Sequence, residues 1–89
     1  MVRLTGATTL SAMSAEKTYA RLRVASNLRK VREAAGLSQE DLAVKAGFHR
    51  TYVSQIERAV NNATIDNICK LAEFLGIDVH ELFVDPDHQ

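Results

Sequence analysis

The chain has 89 residues, which is enough for one domain with a modest hydrophobic core. An apolar share of 46% beside a charged share of 25% is typical of a soluble globular protein, and the chain has no run of 18 apolar residues that could cross a membrane. The formal net charge is zero, and Cys69 is the only cysteine, which excludes a disulfide within the chain and favours a reduced, cytoplasmic setting.

The charge is unevenly distributed along the chain. Residues 1–37 hold seven basic and two acidic residues, whereas residues 63–89 hold one basic and six acidic residues. A molecule with a basic end can turn that end towards a polyanion such as a nucleic acid. The same charges could also simply solvate the surface, so charge alone leaves both interpretations open.

Helical spacing of apolar residues predicts an all-α domain of five helices. Residues 1–14 are small and polar, and we interpret them as a flexible N-terminal arm. The predicted helices, in chain order, span about 15–35, 39–46, 50–58, 65–75 and 79–83. The short connections between them indicate one compact domain over residues 15–84, followed by a tail at 85–89.

Capping residues define several of these helix ends. Ser38, with Asp41 three residues later, is a capping-box start for the second helix. Thr64 and Asp78 are the corresponding caps of the fourth and fifth helices, while Gly47 and Gly76 stand where the second and fourth should stop.

Two helices carry apolar stripes that we expect to face the core. The stripe of the first helix is Val24, Ala25, Leu28, Val31 and Ala35, and that of the fourth is Ile65, Ile68, Leu71, Ala72 and Leu75. Cys69 lies between two members of the second stripe. We interpret it as a small buried residue, with a redox sensor as the alternative.

Residues 39–58 have the pattern of a helix-turn-helix. Ala43 is small where two helices must cross closely, and Gly47 can adopt the left-handed conformation of a tight turn. Four apolar residues should face inward: Leu42, Phe48, Val53 and Ile56. They would leave a polar stripe of the third helix outside, and its members are Arg50, Thr51, Ser54 and Gln55.

The chemistry of this polar stripe suits the major groove of DNA. Arg50 can bind guanine O6 and N7, and Gln55 can bind adenine N6 and N7. The Thr51 methyl group can contact a thymine methyl group, and the small Ser54 permits close approach of the helix. Residues expected at the DNA backbone are Gln39, at the start of the second helix, and Arg58, Asn61 and Asn62, after the third. Tyr52 could pack on the domain or reach a phosphate with its hydroxyl.

The segments LRKVREAAGLSQEDLAVKAG, YVSQIER and ICKLAEFLGIDVHELF resemble the phage Cro and repressor type of helix-turn-helix, also called the xenobiotic-response-element family. The resemblance covers residues 25–84 and implies a compact five-helix domain that binds operator DNA as a dimer. It places Arg50, Thr51, Ser54 and Gln55 at base-reading positions, Gln39 at a phosphate-facing position, and Asn61 and Asn62 in a loop along the DNA backbone. It also implies an internal ion pair between Arg32 and Glu57.

The segment HRTYVSQIER followed by NN is similar, more narrowly, to the small controller proteins of restriction–modification systems. Three positions depart from the family pattern. His49 replaces the usual cap of the third helix, Ala59 replaces a glycine after it, and Ala63 replaces a proline before the fourth. We therefore expect His49 either to cap the helix less well or to reach a phosphate itself, and the third helix either to run on or to end differently.

Two functions fit these features. The first is a sequence-specific transcriptional regulator that binds a palindromic double-stranded operator as a homodimer, without a small-molecule effector. The second is a protein-interaction module of the same fold, such as an antitoxin or an adaptor subunit, which the acidic C-terminal third supports. Four apolar residues near the C-terminus are either the edge of the core or a dimer seam, which we favour: Phe74, Val79, Phe83 and Val84. No arrangement of nucleophile and base, phosphate loop or metal-ligand spacing is visible, so we expect no enzyme activity, cofactor or metal.

Overall fold

The computed structural model describes residues 18–60 and 63–86. Over these residues the chain forms four α-helices and one turn of 3-10 helix, and it forms no strand there. The α-helices are α1 (Tyr19–Ala34), α2 (Gln39–Ala46), α3 (Arg50–Glu57) and α4 (Ile65–Leu75), and the 3-10 turn is Val79–Leu82. None of these helices is long and apolar enough to span a membrane.

The all-α class is therefore confirmed, but the prediction of a fifth α-helix is wrong. After α4 the backbone N–H of Glu81 donates to the Asp78 carbonyl at 3.0 Å, and that of Phe83 donates to the His80 carbonyl at 2.9 Å. These are the three-residue bonds of a 3-10 helix. Pro86 follows soon after and lacks the N–H that a longer helix would need.

The predicted helix starts are confirmed at α2, α3 and α4, whereas α1 begins later than predicted. The Thr18 hydroxyl accepts a hydrogen bond from the Arg21 N–H at 3.1 Å, so Thr18 is the N-cap and α1 begins at Tyr19. The predicted arm at 1–14 and the end of the tail, 87–89, lie outside the described residues. At α2 the Ser38 and Asp41 side chains bind each other's backbone N–H at 2.9 and 3.0 Å, which confirms the capping box.

The core is built from one large, fully buried side chain from each of the five elements. These side chains are Leu28 of α1, Leu42 of α2, Val53 of α3, Leu71 of α4 and Leu82 of the 3-10 turn. Smaller buried residues, including Ala43, Ala46 and Ala72, fill the space where the helices approach each other. Each helix is therefore held to one common core, which fixes the orientation of α3.

Two predictions about α4 are wrong. Ile65 is 65% exposed, and it lines an open groove with Val24 of α1 and Phe83 instead of packing in the core. Cys69 is also exposed. It follows the buried Ile68 by one residue, a rotation of about 100° that turns it towards solvent.

All four α-helices end with the same hydrogen-bonded motif, in which a residue of positive φ follows the helix. At the end of α3 this residue is Ala59, with φ 58°, where the other helices have glycine. The N–H of Val60 donates to the Gln55 carbonyl at 3.0 Å and that of Ala59 to the Ile56 carbonyl at 3.0 Å. The expectation of a different helix end is therefore wrong in geometry, since Ala59 adopts the strained left-handed conformation itself.

A buried asparagine joins the first helix to the last turn. The Nδ2 of Asn27 donates to the carbonyl oxygens of Leu82 at 3.0 Å and Val84 at 2.8 Å. The apolar residues around Phe83 are thereby fixed against α1 by hydrogen bonds as well as by packing.

Candidate nucleic-acid interface

Helices α2 and α3 form a tight pair. Gly47 has φ 78°, and the N–H of Phe48 donates to the Ala43 carbonyl at 2.8 Å, so the chain reverses directly after α2. Ala43 is buried, and Val53 and Ile56 turn the apolar face of α3 into the core. The predicted inward residues are confirmed, with Phe48 partly buried against the core.

The polar stripe of α3 lies on the outer side of this pair. Arg50 and Thr51 are exposed, and Ser54 and Gln55 are half-buried. Arg58, just after the helix, is exposed as well. The structure thus brings the predicted base-reading residues together on one face of α3. The opposite, apolar face of this helix packs against the core.

The start of α3 differs from the starts of the other helices. Within the described part of the chain, His49 is an N-cap whose side chain makes no capping hydrogen bond. The expected weaker cap is thus confirmed. The His49 side chain accepts no hydrogen bond from the first backbone N–H groups of α3. Such N–H groups at the start of a helix can bind an anion.

A buried carboxylate, that of Glu57, lies at the end of α3. The Glu57 side chain is 0% exposed, and the Nε and Nη2 of Arg32 donate to its two oxygens at 2.6 and 3.0 Å. This is the ion pair that the family resemblance implied, and the structure confirms it. Arg29 forms a second ion pair with the same carboxylate, with its Nε 3.5 Å from Glu57 Oε1.

The pKa of Glu57 reflects two opposed effects. Burial raises this pKa, but hydrogen bonds from Arg32 and Gln39 and the charges of Arg32 and Arg29 lower it more, so it lies below its ordinary value. The Glu57 hydrogen bond in turn raises the pKa of Arg32. The pair therefore stays ionised at neutral pH, with the cationic side chain of Arg29 beside it.

The position of Gln39 ties α2 to this cluster. Gln39 is the first residue of α2 and half-buried, and its Nε2 donates to Glu57 Oε1 at 3.0 Å. One amide proton is thus used inside the domain, while the other is left for a further acceptor. Contact of Gln39 with a phosphate stays a prediction.

Tyr52 packs on the domain and also keeps a polar contact. Its ring lies 5.0 Å from that of Phe48, tilted by 52°, and its hydroxyl oxygen accepts a hydrogen bond from Asn67 Nδ2 at 2.8 Å. Asn67 belongs to the first turn of α4 and has no place in the sequence-based prediction. Nothing in its spacing indicates a partner 15 residues away.

Cationic side chains outside the stripe lie beside the end of α3. Arg29 and Lys30 are exposed on α1 beside Arg58, so cationic groups continue past the end of α3. The exposed carboxylate of Glu33 borders the same surface, and further exposed acidic residues, Asp66, Glu73 and Asp78, lie on or just after α4. Asn61 and Asn62, predicted at the DNA backbone, lie outside the described residues.

This geometry defines a helix-turn-helix protein, with α3 as its exposed second helix. The helix-turn-helix family model HTH_3 matches residues 28–82, and the chain belongs to that family. A curated relative is a hypothetical transcription factor of Neisseria meningitidis serogroup B, 41% identical over 66 residues. The match takes in 74% of this chain and spans 62% of that relative's length.

Two solved structures show the same fold. The restriction–modification controller protein C.AhdI from Aeromonas hydrophila has a TM-score of 0.68 and 44% identity, over 71% of this chain and 96% of that chain. The biofilm master regulator SinR, solved in complex with DNA, has a TM-score of 0.65 and 32% identity, over 68% of this chain and 98% of that chain. The chain is therefore similar to small controller proteins and to a regulator that binds DNA.

Proposed function

We propose that this chain is a sequence-specific DNA-binding transcriptional regulator that inserts α3 into the major groove. The observation that carries the proposal is the polar stripe of α3, in which Arg50 and Thr51 are exposed and Ser54 and Gln55 half-buried, on a helix that the Arg32–Glu57 pair joins to α1. Similarity to SinR, which was solved with DNA, supports the same function.

The residues of the stripe take different roles in this proposal. Arg50 and Gln55 read base edges, Thr51 contacts a thymine methyl group, and Ser54 lets the helix approach closely. Backbone phosphates are bound by Gln39, Tyr52, Arg58, Asn61 and Asn62. The cations around Arg58 make affinity fall steeply with salt concentration.

We further infer a homodimer on a palindromic operator. A single α3 reads only a half-site, so two copies are needed to read a full symmetric site, with centres about 34 Å apart. An apolar patch near the C-terminus, made of Phe74, Val79, Phe83 and Val84, is the candidate seam. Phe74 is 46% exposed and Val84 38% exposed, and Asn27 holds the adjoining backbone in place.

Selection of bound duplexes from a random DNA pool tests this function directly. We expect enriched duplexes with two inverted half-sites whose binding weakens steeply as salt rises. Arg23→Ala is a control, because this arginine belongs to α1, lies against the Tyr19 ring and is not part of the α3 stripe. A pool that shows no enrichment even at low salt would contradict the proposal.

The alternative of a protein-interaction module makes a different prediction. Its interface on α3 would need aromatic or aliphatic anchors, whereas the stripe offers arginine, threonine, serine and glutamine. Failure to enrich DNA, together with stable co-purification of a second chain, would favour that alternative.

A further inference from the structure

The Tyr52 hydroxyl of α3 is hydrogen-bonded to Asn67 of α4. The Nδ2 of Asn67 donates to the hydroxyl oxygen at 2.8 Å in a partly buried bond. A phenol oxygen that accepts such a bond still has its own proton to donate. Because the incoming N–H occupies one side of the oxygen, the proton of the hydroxyl is directed away from Asn67.

Both members of this pair are held by further contacts. The backbone N–H of Asn67 donates to the Thr64 hydroxyl at 3.1 Å, which fixes the residue in the first turn of α4. The Tyr52 ring packs against Phe48, and Lys70 lies 5.4 Å over the other aromatic ring of this contact, that of Phe48. The direction of the hydroxyl is therefore set before any ligand arrives.

We propose that Asn67 is a positioning residue for DNA binding, which turns the Tyr52 O–H proton outward to a backbone phosphate of the duplex. The inference rests on the proposed function. Phosphate oxygens only accept hydrogen bonds, so a hydroxyl binds one only when it presents its proton. An acceptor in place of Asn67 would draw that proton inward and leave an oxygen lone pair facing the phosphate.

The substitution Asn67→Asp tests this role, since it keeps the shape of the side chain and replaces the donor with an acceptor. It also adds a negative charge, which weakens DNA binding without any help from Tyr52. Repeating the substitution together with Tyr52→Phe separates the two effects, because the charge remains while the hydroxyl is removed. The probe is the duplex most enriched by selection from the random pool, titrated at low salt.

We expect Asn67→Asp to weaken binding about tenfold in the protein that retains Tyr52, and no more than about threefold in the protein that carries Tyr52→Phe. Equal weakening in both backgrounds would overturn the positioning role and assign Asn67 a purely structural one. Asn67→Ala, which removes the donor without adding charge, should show a smaller loss with the same dependence on Tyr52. If thermal unfolding shows that Asn67→Asp does not fold, Asn67→Ala is used for the test in its place.

Duplexes in which one phosphate at a time is a neutral methylphosphonate provide a second readout. When one particular phosphate is replaced, Tyr52→Phe should no longer reduce the affinity for the duplex. Asn67→Ala should lose its effect on affinity in the same modified duplex. Effects that disappear at different positions, or at none, would overturn the inference and leave the proposed function intact. A parent protein that binds no duplex would instead overturn the proposed function as well.

Discussion

Arg32 and Glu57 join α1 to α3 through two hydrogen bonds, of 2.6 and 3.0 Å, around a carboxylate that solvent does not reach. Arg32 also donates through Nη1 to the Leu37 carbonyl at 2.7 Å, so the guanidinium braces the turn before α2 as well. The helix proposed to read DNA is thus fixed on its inner side by a charge pair.

Removal of one partner of this pair should destabilise the fold strongly. We expect Arg32→Ala to lower the free energy of unfolding by about 3 kcal/mol, because it leaves the Glu57 carboxylate buried without its main partner. Urea denaturation measures the change. Glu33→Gln is the control, since this exposed carboxylate lies 3.8 Å from Arg32 and should contribute less than about 0.5 kcal/mol. Equal losses in the two variants would contradict the buried role.

The stability contribution of Glu57 should depend on pH. Its folded-state pKa lies below the ordinary value of 4.5, so the ionised group stabilises the fold above pH 4.5. This stabilisation is lost as the pH falls through the lowered pKa. We expect the difference in unfolding free energy between the parent and Glu57→Gln to be largest near neutral pH and to shrink in acid. A difference that stays constant from neutral pH to about pH 3, roughly one and a half units below the ordinary glutamate pKa, would contradict this assignment.

Arg50 should contribute to both affinity and specificity. Arg50→Ala is expected to cost about 1–3 kcal/mol of binding free energy and to relax the preference at one base pair in each half-site. The measurement is titration against the selected duplex and its single-base variants, with Arg23→Ala as the matched arginine control. Unchanged discrimination at every base pair would show that Arg50 contacts only phosphate.

The C-terminal apolar patch should control self-association. Phe74→Asp places a charge on the proposed seam, and we expect it to weaken dimerisation by at least about tenfold, since burying one phenylalanine stabilises by roughly 1.5–3 kcal/mol. Sedimentation equilibrium measures this constant. Val44→Asp is the control, as Val44 is 73% exposed on α2 and lies outside the patch. If both variants associate like the parent, the seam lies elsewhere.

Ala59 offers a stabilising substitution. Ala59→Gly should raise the free energy of unfolding by about 0.5–1 kcal/mol, because glycine adopts the left-handed conformation without strain and this gain exceeds the loss of one buried methyl group. Ala43→Gly, at a buried position inside α2, should lower it by about 1 kcal/mol. A loss of stability in both variants would mean that the Ala59 methyl contributes more than the strain costs.

Local signals in the sequence predicted much of this molecule. Ser38 with Asp41 defined the start of α2, and helical spacing placed Val53 and Ile56 inside and Arg50 outside. These features depend on residues three or four apart, which spacing describes well. The roles of the stripe in binding bases stay predictions.

The features that were missed depend on which elements meet in space. Spacing assigned Ile65 to an inward stripe, but it does not reveal that this first turn of α4 borders an open groove. The bond between Asn67 and Tyr52 joins residues 15 apart, and that between Asn27 and Leu82 joins residues 55 apart. A single polar residue in a helix has no local pattern that predicts such partners.

The Asn27 side chain also links the opening behaviour of distant segments. Its amide bonds Leu82 and Val84 directly, so the last turn cannot leave the domain without exposing a buried polar group of α1. Amide protons of α1 and of the Val79–Leu82 turn should therefore exchange with solvent through one shared opening event. We expect the turn to exchange as slowly as α1.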